Sequence, residues 1–86
     1  MEALDATTFE VAVEGDSITR HRVTVSPEYQ KELTAGKIST DELIKRSFEF
    51  LLEREASTSI LRSFDLPLIG RYFPEYEETI RDLTSL

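Results

Sequence analysis

Residues 39–55, STDELIKRSFEFLLERE, constrain the fold more than any other stretch of this 86-residue chain. Ser39 followed three residues later by Glu42 is the spacing of a capping box, in which each side chain satisfies an orphan backbone N–H of the other. Leu43, Ile44, Ser47, Phe48, Leu51 and Leu52 recur at the spacing of one helical face. Lys45, Arg46, Glu49, Glu53 and Arg54 fall on or near the opposite face, with Phe50 at the flank. Such a helix must lay its apolar face on something. Burial of Phe48, Leu51 and Leu52 contributes about 2 kcal/mol each before entropy is counted. The rest of the chain is therefore read as what covers this helix.

Ahead of it, Phe9, Val11 and Val13 alternate with Thr8, Glu10, Ala12 and Glu14, the period of a half-buried strand. EGDSIT follows, with Gly15 and Asp16 as turn residues, and RHRVTV then places Val23 and Val25 on one face of a second strand. Pairing Val11 with Val23 and Phe9 with Val25 keeps the apolar groups together. A slip of one residue would set Arg22 against them on the buried face. That register leaves a loop of about five residues, a common hairpin length. In SPEYQKELTAG, Ser26 suits an N-cap, Pro27 the first helical position and Gly36 the position after the helix.

After the central helix, STSILRSF reads as a short helix capped by Ser57 or Thr58. Asp65 reads as the next N-cap, with Pro67 in the following turn. Leu66, Ile69 and Phe73 share a helical face there. Pro74 ends that turn, and Tyr76, Ile80 and Leu83 share a face of a last helix. The expectation is one α+β domain over residues 1–86, an N-terminal hairpin packed on three or four short helices, with 1–7 and 84–86 frayed.

Composition excludes several kinds of chemistry. One histidine, His21, and no cysteine leave no zinc site of the usual types and no imidazole beside a nucleophile. His21 itself reads as a strand residue at the hairpin edge. No phosphate-cradling glycine loop and no calcium-loop spacing occur. Glu75, Glu77 and Glu78 read as a solvated acidic face rather than a cation site. Neither catalysis, a cofactor nor a metal is expected. A formal charge of −7 repels nucleic acid and anionic lipid. No run is long enough to cross a membrane, no secretory leader is seen at the N-terminus, and the lack of cysteine points to a reducing cytoplasm.

Two resemblances add to this reading. RVTVSPEYQKEL followed by GKISTDELIKRSFEFLLE, about residues 22–53, resembles the ribbon-helix-helix pattern. That resemblance implies an intertwined dimer with paired strands in the DNA major groove, with Arg22, Thr24 and Ser26 facing bases. Ser39 and Thr40 would then meet phosphate. The first helix is a turn or more shorter than that family's, a strand precedes the reading strand, and the segment after Glu55 has no counterpart. RSFEFLLERE, SILRSFDL and YFPEY together resemble small uncharacterised bacterial proteins over nearly the whole chain, a likeness that implies no activity. The expected role is protein–protein contact or self-association. In residues 59–78, Phe64, Leu66 and Ile69 are expected to pack inward, and Arg71, Tyr72 and Tyr76 to lie at the surface as contact residues.

Overall fold

The computed structural model describes residues 2–15 and 17–84, the side chain of Thr84 excepted. The strands are β1 (Glu2–Ala3), β2 (Thr8–Glu14), β3 (Ile18–Thr24) and β4 (Ser63–Asp65). The helices are α1 (Pro27–Thr34), α2 (Thr40–Leu52), α3 (Leu68–Tyr72) and α4 (Tyr76–Thr84), with a single 3-10 turn at Ser57–Ser59. The expected α+β class and its hairpin and helices are present.

The sheet runs β1-β2-β3-β4, antiparallel except for the parallel β3–β4 pair. Parallel neighbours need a long crossover, and α1 and α2 supply it. Phe9, Val11, Val13, Val23 and Phe64 on the inner face of the sheet meet Leu43, Ile44, Phe48, Phe50, Leu51, Ile69, Tyr76 and Ile80 from the helices. The outer face carries Glu10, Ala12, Glu14, Ile18, Arg20 and Arg22 and stays open to solvent. Arg20 pairs with Glu10 across it at 3.2 Å.

The hairpin register is two residues from the expected one. Phe9 pairs with Val23 and Val11 with His21, leaving residues 15–17 as the connection. Asp16 of the expected turn lies outside the described residues. A shift of two preserves which side chains point inward, so the apolar pattern does not distinguish the two registers. It does place His21 on the inner face of an interior strand, only 2% exposed, rather than at an edge. Burial is compensated by two hydrogen bonds. His21 Nδ1 lies 2.8 Å from the Leu61 carbonyl and Nε2 2.9 Å from Thr19 Oγ1. A carbonyl only accepts, so Nδ1 carries a proton.

Of the four expected helix caps, those at Ser26 and Ser39 form. Ser26 Oγ accepts from Tyr29 N–H at 3.1 Å and Ser39 Oγ from Glu42 N–H at 3.2 Å. Glu42 turns its carboxylate forward to Arg46, with Nε 3.2 Å away. That N–H is closed off from solvent and is not aimed along a hydrogen bond, so the contact is an ion pair only. Helix α1 ends through Ala35 and Gly36, both left-handed, at φ 54° and 71°.

Five expectations are corrected along the second half. Leu52 is 42% exposed, and Phe50, assigned to the flank, is buried at 4%. The contact face of α2 is thus rotated toward Phe50, which receives Tyr76 and Phe73 edge-on at 5.3 and 5.8 Å. STSILRSF is not a helix but the 3-10 turn followed by β4. Asp65 is a strand residue, and Pro67 occupies the N-cap position of α3. Leu83 is 43% exposed, away from the core that holds Tyr76 and Ile80.

At the N-terminus, expected to fray over 1–7, β1 pairs Glu2 with Glu10 and Ala3 with Phe9. Asp5 Oδ1 closes the following turn by accepting from the N–H groups of Thr7 and Thr8, each at 2.8 Å. Those backbone donors hold the Asp5 carboxyl below its ordinary value. The turn is firmest above the ordinary carboxylate range and loosens as pH falls through the lowered value. At the other end, residues 85–86 lie outside the described residues.

Candidate interaction cleft

Residues 59–73 form both a wall of the core and the lining of an open cleft. Phe64, Leu66 and Ile69 pack inward as expected, at 9%, 0% and 3% exposure. Beside them opens a cleft of about 380 Å³. Its floor and walls are Leu51 from the end of α2, Ile60 and Leu61 from the run into β4, Phe64 from β4, and Leu68, Ile69, Tyr72 and Phe73 from α3 and its end. Ser59 and Glu55 are its polar rim.

The sequence builds this shape through its breakers. Pro67 stops β4 and starts α3 within three residues, and Pro74 prevents α3 from running on into α4. Helix α3 is therefore only five residues long and lines the cleft with Leu68, Ile69 and Tyr72. It covers Ile69 but leaves Tyr72 at 65% and Leu61 at 47% exposure at the mouth. The chain has no further segment that folds over them among the described residues. An apolar concavity with exposed Tyr and Leu at its mouth has the composition of a binding surface.

The three expected contact residues separate. Tyr72 lines the cleft and is exposed. Arg71 is exposed beside it on α3 but does not line the cleft. Tyr76 is not at the surface. It is fully buried, and its hydroxyl donates to Ser47 Oγ at 2.6 Å while Ser47 donates to the Leu43 carbonyl at 2.7 Å. Its carboxylate neighbours do not draw it into water, because Glu77 and Glu78 follow on other faces of α4. Glu77 accepts from Tyr29 OH at 2.9 Å, and Glu75 from Arg54 Nε at 3.2 Å. Burial raises the Tyr76 phenol above its ordinary value. Burial together with its bond to Glu77 does the same to Tyr29.

Leu61 and Leu68 are cleft residues that the sequence did not mark as contact residues. Leu61 carried a usable signal, since an apolar residue between Ile60 and Arg62 in an alternating run cannot share the buried face of Ile60.

The residues tied to the ribbon-helix-helix resemblance lie along β3 and at the start of α1. Arg22 is exposed on the outer sheet face, Thr24 is half-buried, and Ser26 is occupied as the α1 cap. Strand β3 has β2 on one side and β4 on the other, so it has no free edge for a second copy's strand. Ser39 is likewise engaged as a cap. Among the described residues, no group of three or more His, Asp or Glu side chains is placed to hold a metal ion, and no helix is long and apolar enough to cross a membrane.

No family model matches this chain, and neither a curated protein nor a solved structure matches it.

Proposed function

We propose that this chain is a small, non-catalytic, cytoplasmic bacterial protein that acts by binding another protein through the cleft beside α3. The observation that carries the reading is the pair Tyr72 and Leu61, 65% and 47% exposed at the mouth of an apolar cleft, whereas the other exposed large apolar side chains among the described residues, Leu4, Ile18, Leu52 and Leu83, do not line it. Tyr is among the residues that anchor interfaces, because it offers a large rigid face at low entropic cost. The non-enzymatic part draws on the single histidine. His21 has both ring nitrogens committed and does not line the cleft. The lack of cysteine supports a reducing compartment.

The test is capture of a partner from the native host, followed by titration of that protein into isotope-labelled chain. Amide shifts are expected to cluster at Leu61, Leu68 and Tyr72. Shifts confined to the outer sheet face, around Ala12 and Arg20, would move the interface elsewhere. Duplex DNA is expected not to bind. The net charge is −7 and β3 has no free edge. Fluorescence anisotropy should stay flat at about 150 mM salt, whereas tight binding that falls steeply with added salt would contradict the reading.

A further inference from the structure

The cleft lies against a strand edge that lacks a neighbour. In the β3–β4 ladder, Arg22 N–H donates to the Arg62 carbonyl at 2.6 Å and Leu66 N–H to the Thr24 carbonyl at 2.9 Å. Backbone groups alternate in direction along a strand, so those of residues 62, 64 and 66 face β3 and those of Ser63 and Asp65 face away. No protein group among the described residues meets that outward set. On the inner side, Phe64 between them is a wall of the cleft.

We infer that the occupant of the cleft is an extended segment of a partner protein that adds to β4 as an antiparallel fifth strand. This rests on the proposed role of the cleft and specifies how it binds. The edge offers two N–H donors and two carbonyl acceptors on alternate residues, a pattern that an extended backbone complements and a helix, whose backbone groups are internally paired, does not. The partner residues opposite Ser63 and Asp65 exchange backbone hydrogen bonds. The residue between them, opposite Phe64, points its side chain to the cleft side of the sheet. A bulky aliphatic or aromatic group suits it, because Leu61, Leu68, Ile69 and Tyr72 would surround it. Asp65 lies exposed on the outer side with no ion-pair partner among the described residues, so Lys or Arg suits the position opposite it. The chain's net charge of −7 favours the same sign. A three-residue edge supports weak, reversible binding, with side-chain fit in the cleft setting the choice of partner.

The test uses the full chain and three capped heptapeptides of sequence Thr-Leu-Lys-Leu-Thr-Leu-Thr. One is unmodified, one is N-methylated at its first two leucines, and one at the Lys and the Thr that follows the second leucine. In a strand that turns its leucines to the cleft, the Lys and Thr amides face β4 and the leucine amides face solvent. Amide shifts in labelled protein should show the first two peptides binding within about threefold of one another, and the third at least tenfold more weakly. Ser63→Pro removes one outward N–H without touching the β3 ladder. It should lower binding of the unmodified peptide by a similar factor with an unchanged circular dichroism spectrum. The peptide comparison stands by itself if that variant fails to fold. Equal binding by all three peptides would overturn strand addition while leaving the cleft as a contact site. No shift from the unmodified peptide at millimolar concentration would also overturn it, and the cleft would then be judged by the captured partner alone. A wild-type chain that sediments as a dimer and becomes a monomer as Ser63→Pro would give the edge to a second copy and overturn it as well.

Discussion

Phe48→Ala is expected to destabilise the domain by about 3–5 kcal/mol, a large share of the roughly 5–15 kcal/mol that holds a domain of ordinary stability together. Phe48 is 4% exposed and joins α2 to two strands of the sheet. Its ring lies 5.5 Å from His21 of β3, tilted by 54°, and 6.2 Å from Phe64 of β4, tilted by 34°. Truncation leaves a void that backbone on three elements cannot close, so the cavity cost adds to the lost transfer energy. Leu52→Ala on the same helix is the control. Leu52 is 42% exposed, so the change should stay within about 0.5 kcal/mol of neutral. Urea melts of the two variants check the orientation of α2. A loss under about 1 kcal/mol for Phe48→Ala, or a larger loss for Leu52→Ala, would mean that a different face of α2 meets the sheet.

Tyr76→Ala is expected to cost a similar amount, about 3–5 kcal/mol by analogy with other buried aromatics. Two separable interactions are lost. The ring packs edge-on to Phe50 at 5.3 Å and 67°, and the hydroxyl donates to Ser47 at 2.6 Å. Tyr76→Phe removes only the second and should cost about 1 kcal/mol, because Ser47 keeps its bond to the Leu43 carbonyl. The pH dependence follows from the raised phenol. A group whose value is higher in the folded state contributes stability in full below its unfolded value, near 10 for tyrosine, and loses it as pH rises toward the folded one. Melts at about pH 9 and 11 should therefore show the wild type losing stability in alkali. Tyr76→Phe should lose less, with Tyr29, which is also raised, accounting for part of what remains. An identical alkaline loss in both chains would contradict the buried placement of Tyr76.

How far the fold could be read from sequence depended on element length. Helix α2 spans 13 residues and carries a cap and several turns of apolar repeats, so its position was legible and only its rotation, between Leu52 and Phe50, was not. The alternation of β2 and β3 fixed which side chains point inward. It could not choose between registers two residues apart, and so could not foresee His21 opposite Val11. Strand β4 is three residues long. Phe64 and Leu66 alternate with Ser63 and Asp65, but Leu66, Ile69 and Phe73 fit a helical period equally well, and so short a run does not discriminate. The cleft was only half visible for the same reason. Tyr72 was placed at the surface on a helical period shared with Phe73, and it is exposed, although Phe73 itself lies just past α3 in extended backbone. Tyr76 was misplaced because its neighbours in sequence are acidic. Its environment is set instead by Ser47 and Phe50, far away along the chain.

The central claim is that residues 59–73 carry a contact surface as well as a core wall, and Tyr72→Ala tests it most directly. The measurement pairs a urea melt with affinity capture from the native host, on the same variant. Tyr72 is 65% exposed, so stability should stay within about 0.5 kcal/mol of the wild type. The protein held by the wild-type chain should be lost at least tenfold, the scale of one interface anchor worth more than about 1.4 kcal/mol. A Tyr72→Ala chain that keeps its stability and retains the same protein undiminished would contradict the claim. So would one that unfolds, because Tyr72 would then belong to the core.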